Sequence, residues 1–156
     1  MKLITALVAV LALSLPFASL ARAHCEVPCG IYDDEARLNL IAEHITTIER
    51  SMRQIQELSQ QEPRNYNQIV RWINNKEHHA NELQHIVSQY FMTQRIKPAD
   101  EKDEAACERY MKQLKLAHRM LVYAMKAKQT TDPANVDELR ALLASFRDAY
   151  LGEFKH

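Results

Sequence analysis

Apolar positions recur three and four residues apart in four stretches of the chain, with short polar breaks between them. The first stretch runs through Leu38, Ile41, Ile45, Ile48, Met52 and Ile55, and the second through Ile69, Ile73, Ala80, Leu83, Val87 and Tyr90. The third offers Tyr110, Leu114, Ala117, Leu121 and Ala124, and the fourth Val136, Leu139, Leu142, Leu143, Phe146 and Tyr150. Such spacing lines one face of an α-helix, so each stretch predicts an amphipathic helix. The breaks hold Pro63, Pro98 and Pro133, spaced 35 residues apart, in settings such as Gln61-Glu62-Pro63-Arg64-Asn65 and Thr130-Thr131-Asp132-Pro133-Ala134. Proline cannot continue a helix interior, which makes these breaks turns. Four helices that must each bury a stripe, joined by short turns, predict an all-α fold, an up-down-up-down four-helix bundle. The segments do not resemble one another, so equal helix lengths rather than an internal repeat account for the even spacing.

Composition supports the helical reading. Only two glycines occur, Gly30 and Gly152, against abundant Ala, Leu, Glu, Gln, Lys and Arg. Residues 1–23 are of another kind: Lys2 precedes an apolar run from Leu3 to Leu15, and Ala21-Arg22-Ala23 has the small-x-small form of a cleavage site. This is the pattern of a secretory signal peptide cut by signal peptidase, leaving 24–156 as the mature domain. The run is short for a span of roughly 20 residues and Pro16 ends it, so no stable membrane span is expected after cleavage. Lys2 and Arg22 leave with the signal, and the mature chain keeps 18 basic against 20 acidic residues. With no strong field of either sign, nucleic acid is not expected as a partner.

Cleavage after Ala23 exposes the stretch His24-Cys25-Glu26-Val27-Pro28-Cys29-Gly30-Ile31-Tyr32. A free N-terminal His24 offers an amine and an imidazole, Cys25 an amide and a thiolate, and Cys29 a second thiolate. Small chelate rings through the amine, the Cys25 amide and the Cys25 sulfur suit a square-planar N2S2 site, the geometry of Ni(II) or Cu(II) rather than tetrahedral zinc. Pro28 fixes φ and Gly30 tolerates positive φ, which helps the loop curl as a hook. A Cys25–Cys29 disulfide in an oxidising compartment is the structural competitor, although so small a ring gains little loop-closure entropy. Tyr32 suits two places equally well: over an open metal face, or as a packing aromatic where the first helix begins.

His24-Cys25-x-x-Pro28-Cys29-Gly30-x-Tyr32 resembles the hook of the nickel superoxide dismutases, at every fixed position of that nine-residue motif. The predicted helices extend the likeness over the rest of the mature chain, and Ser88-Gln89-Tyr90-Phe91 resembles the family's tyrosine region beside the metal. The resemblance implies a homohexamer of four-helix bundles with one nickel ion per subunit. His24 (amine and imidazole), Cys25 (amide and thiolate) and Cys29 would be the ligands, with Tyr32, Tyr90 and Glu26 around them. It also implies disproportionation of superoxide to dioxygen and hydrogen peroxide, with nickel alternating between the +2 and +3 states. Two thiolates and a deprotonated amide would favour Ni(III). Family members commonly hold the imidazole with a Glu in the first helix and an Arg in the second. Asn39 and Asn75 align roughly there, leaving Glu43 or Lys76 as neighbouring substitutes. A substrate that crosses membranes poorly fits a secreted or periplasmic location. The alternative is a secreted helical-bundle metal-binding protein without catalysis.

Other polar residues carry weaker signals. His79, Glu82 and His85 lie at i, i+3 and i+6, and Glu82-x-x-His85 has the form of a di-iron bundle pair, but its only counterpart is Glu153-x-x-His156 at the chain end. Polar helix surface is the expectation for them. Cys107 reads as a small buried thiol with no partner, and His44 and His118 as ordinary helix residues. Trp72, Met52, Met92, Met111, Met120 and Met125 read as core or subunit-interface packing.

Overall fold

The computed structural model describes residues 26–152, so the signal segment 1–23, its cleavage site, His24 and Cys25 lie outside the described residues. The chain divides into two units, Met1–Ile31 and Tyr32–His156. In the first, residues 26–30 form consecutive bends. The second is all helix and turn among its described residues: α1 (Asp34–Ser59), α2 (Tyr66–His85) running into a π-helical segment (Ile86–Arg95), α3 (Glu104–Gln129) and α4 (Ala134–Leu151).

Local chemistry sets the helix ends. Asp33, Asn65 and Asp103 each sit at an N-cap and accept from a backbone N–H three residues on, at 2.9, 3.2 and 2.9 Å. Each such cap contributes about 1 kcal/mol by satisfying a donor that the first turn cannot. The three turns fall at the three prolines. The far end of α3 is closed by another helix: Lys76 of α2 is buried, and its ammonium donates to the carbonyls of Ala127 at 2.7 Å and Thr130 at 3.3 Å, and to that of Lys128.

Consecutive helices pack side by side and α4 returns to α1, which closes the bundle. All six predicted positions of α1 and all six of α4 are buried. The inner helices differ from expectation. In α2 the core line runs through Lys76, Ala80 and Leu83, whereas Ile73 is 38% exposed. In α3 it runs through Gln113, Ala117, Met120, Ala124 and Ala127, so Tyr110, Leu114 and Leu121 flank the core instead of filling it. Phe91 and Phe146 are fully buried with rings edge to face at 5.2 Å, and Tyr90 and Tyr150 abut Phe91 at 5.0 and 5.3 Å.

The π-helical segment is the departure the apolar spacing does not predict. Its backbone bonds run from i to i+5, as from Ile96 N–H to the Phe91 carbonyl at 2.8 Å. Residues five apart therefore share a side, where an α-helix would turn them about 140° from each other. No helix among the described residues is long and apolar enough to cross a membrane.

Candidate metal centre

Within the first unit, the described part of the hook is a series of bends that leaves its thiol open. Cys29 is exposed, Gly30 takes φ of 78°, a region that favours glycine, and Val27 and Ile31 on either side are 80% and 82% exposed. Glu26 and Pro28 are half-buried. An exposed thiol in a tight turn is a donor free to meet a soft or borderline metal, and in that respect the residues present fit nickel.

The second unit begins at Tyr32, and here the structure joins two of the predicted residues. The rings of Tyr32 and Tyr90 stand edge to face at 5.9 Å, although 58 positions separate them in the chain. Tyr32 packs against Tyr90 where α1 begins, as the packing expectation has it, and is 39% exposed.

Behind these rings lies a cluster that the apolar spacing and the motif both miss. Asp34, in the first turn of α1, accepts from the Tyr90 hydroxyl at 2.7 Å and from the Tyr150 hydroxyl at 2.9 Å. Arg95 grips the same carboxylate with Nε at 2.8 Å and Nη2 at 2.7 Å, the two-pronged fit of guanidinium to carboxylate. The guanidinium also lies over the Tyr32 ring, 4.3 Å from its centroid, while that of Arg37 lies 5.3 Å from the Tyr90 centroid. Tyr90 and Arg95 are five residues apart, so the π-helical backbone is what brings both to one acid. Their spacing was the available signal, but i, i+5 carries meaning only once the helix type is known.

These contacts set the charges. Burial alone would raise the Asp34 carboxyl, but hydrogen bonds from Arg95, Tyr90 and Tyr150 outweigh it and hold the group below the ordinary value. Burial, then the Asp34 hydrogen bond and negative charge, push Tyr90 up to about 12. Tyr150 rises for the same reasons. The phenols stay protonated and the carboxylate charged through the neutral range.

Other expected residues have other roles. Asn39 accepts from Arg147 at 2.7 Å and Asn75 donates to Ser51 at 3.0 Å, both across helix contacts. Of the two neighbours named as substitutes for an imidazole partner, Lys76 is engaged with the end of α3 and Glu43 is exposed. His44 is more than an ordinary helix residue: it is buried, and its Nδ1 pairs with Nδ1 of His79 at 2.8 Å, which makes half-buried His79 an interhelical contact rather than polar surface. His118 is exposed, as expected of an ordinary helix residue. Cys107 is half-buried rather than buried and has a partner, the Asp100 carbonyl, 3.3 Å from its sulfur. Met52 and Met120 fill the core, whereas Met111 and Met125 are exposed. Among the described residues no group of three or more His, Cys, Asp or Glu side chains converges as a metal site.

A protein-family model described as nickel-containing superoxide dismutase matches residues 19–153. No curated protein and no solved structure matches the chain.

Proposed function

Since this chain belongs to the nickel-containing superoxide dismutases, enzymes that use nickel and act on superoxide, we propose that its reaction centre is the hook at the mature N-terminus. In this reading signal peptidase frees His24. The His24 amine and imidazole, the Cys25 amide and thiolate and the Cys29 thiolate then hold one nickel per chain. Bound nickel supplies the one-electron couple between its +2 and +3 states by which superoxide is disproportionated to dioxygen and hydrogen peroxide. The two thiolates and the deprotonated amide bring the anionic charge that makes such a couple accessible. The family resemblance implies Tyr32, Tyr90 and Glu26 as the residues around the metal, Glu26 by its place in sequence between the two cysteines.

The observation that carries this reading is the exposed Cys29 thiol in a glycine-assisted turn three positions before Tyr32. A ligand that is a chain terminus also explains the leader: inside a peptide bond the His24 nitrogen is no amine, so the precursor is inactive until it is cut, in the periplasm or outside the cell. A homohexamer belongs to the same proposal. An exposed apolar line on α2, Tyr66, Val70 and Ile73, offers a surface for such an assembly to cover.

The test compares chain purified with His24 as its true first residue against chain carrying one extra N-terminal residue, both reconstituted anaerobically with nickel. Dismutation with one nickel per chain, lost in the extended form, is the expected result. Nickel retained without turnover in both forms would favour a metal-binding protein without catalysis. A Cys25–Cys29 disulfide with no metal would overturn the hook altogether.

A further inference from the structure

The Asp34 carboxylate has two oxygens with about four lone-pair positions between them, and four donors occupy them. Oδ1 takes the Tyr90 hydroxyl and Arg95 Nε, while Oδ2 takes the Tyr150 hydroxyl and Arg95 Nη2. The acid is thus saturated and held from three sides, by the π-helical segment twice and by α4 once. A phenol has a single hydrogen, and that of Tyr90 is committed to Asp34, so toward any other group Tyr90 can only accept, as it does from the Asp33 backbone N–H. Because Arg95 is fixed by the same carboxylate, the guanidinium face 4.3 Å from the Tyr32 centroid is fixed as well.

We propose that Asp34 is a positioning residue for the dismutation: through Tyr90 and Arg95 it sets the arrangement of the Tyr32 and Tyr90 rings and makes Tyr90 an acceptor, not a proton donor, toward the reacting groups. This rests on the reading, implied by the family resemblance, of Tyr32 and Tyr90 as residues that serve the nickel centre. Asp34 itself touches neither substrate nor metal in this scheme. Its neighbour Asp33 caps the helix, so the two adjacent acids divide the work: one shapes the backbone and the other orders side chains.

The substitution Asp34→Asn keeps the size of the side chain and removes its charge. In nickel-loaded mature protein labelled at the tyrosine ζ carbons, Tyr90, assigned by its loss in Tyr90→Phe, should ionise roughly one pH unit or more lower in Asp34→Asn. The high-pH limb of turnover should move down with it, with nickel content unchanged. Arg95→Lys, which keeps the charge and loses the two-pronged grip, should give a smaller shift in the same direction. It decides the matter should Asp34→Asn fail to fold. Arg140→Gln, which opens the surface pair with Glu49, should shift neither readout.

A folded Asp34→Asn protein whose Tyr90 ionisation and pH profile match those of the parent overturns the clamp and leaves the hook reading intact. If instead Tyr90 ionisation shifts while Tyr90→Phe leaves turnover and its pH profile unchanged, the clamp is real but serves no reaction. The role of the tyrosines at the nickel centre then falls, and the positioning role with it.

Discussion

A hydrogen bond between two imidazoles holds only while at least one ring is neutral. His44 and His79 meet in this way across α1 and α2, with ring centroids at 5.1 Å. Burial lowers the proton affinity of both rings. His79 and His78 lower that of His44 further, and His78 that of His79, against the opposing charge of Glu82 and, for His44, Glu43. A base depressed in the folded state binds fewer protons there than in the unfolded chain, so stability is full above the ordinary histidine value near 6.5 and falls as pH drops below it. Urea unfolding between pH 7.5 and 5 should therefore show a declining midpoint, with each extra proton contributing a slope of at most about 1.4 kcal/mol per pH unit. In a His44→Gln/His79→Gln protein that decline should be smaller. Spacing did not reveal the pair, because a histidine on an apolar face looks alike whether its partner is solvent or another ring. The hook could be proposed from sequence for the opposite reason: its donors are local, and nine consecutive residues carry the pattern. The Asp34 cluster could not, since its partners lie 56, 61 and 116 positions away.

Between helices, the outer pair α1 and α4 could be read from sequence in full, because their large aliphatic residues all fall on one line. The inner pair could not. Apolar spacing weighs every hydrophobic residue equally, and it cannot see that a lysine takes the inward place at position 76 or that alanines and Met120 define the inner line of α3. Lys76 is the clearest case: its stem occupies the core line of α2 while its ammonium finishes α3. Burial lowers its proton affinity, with Glu77 at 3.5 Å opposing that effect. Replacing it with Met keeps the volume but strips the carbonyls of Ala127, Lys128 and Thr130 of a shared donor, which should cost about 1–3 kcal/mol in chemical unfolding. Hydrogen exchange should rise first in the last turn of α3 rather than across the bundle. A loss spread evenly over all four helices would contradict the capping role.

At the scale of the whole molecule, the line Tyr66, Val70 and Ile73 is left over once the core is filled: these side chains are 67%, 54% and 38% exposed on the outward side of α2. Periodicity assigned Ile73 to the interior, and assembly is the natural claimant for what the interior does not use. Val70→Glu with Ile73→Glu should convert the proposed hexamer to smaller species in sedimentation, since charge is disfavoured at the centre of an interface. The stability of the single chain should change by no more than about 0.5 kcal/mol, as surface substitutions usually do. An intact hexamer would place the contact on another face. The Asp34 clamp has a different consequence, in the order of events. Its acid comes from the first helix, its arginine from the end of the second and one of its phenols from the fourth, so it closes only after nearly the whole chain has been synthesised. A nascent chain halted before Ala134 can form helices and bury much of its core, yet it lacks Tyr150 and leaves the carboxylate a donor short. The surroundings of the Tyr32–Tyr90 pair are thus complete only once α4 is in place, and a product truncated before it keeps an unfinished clamp.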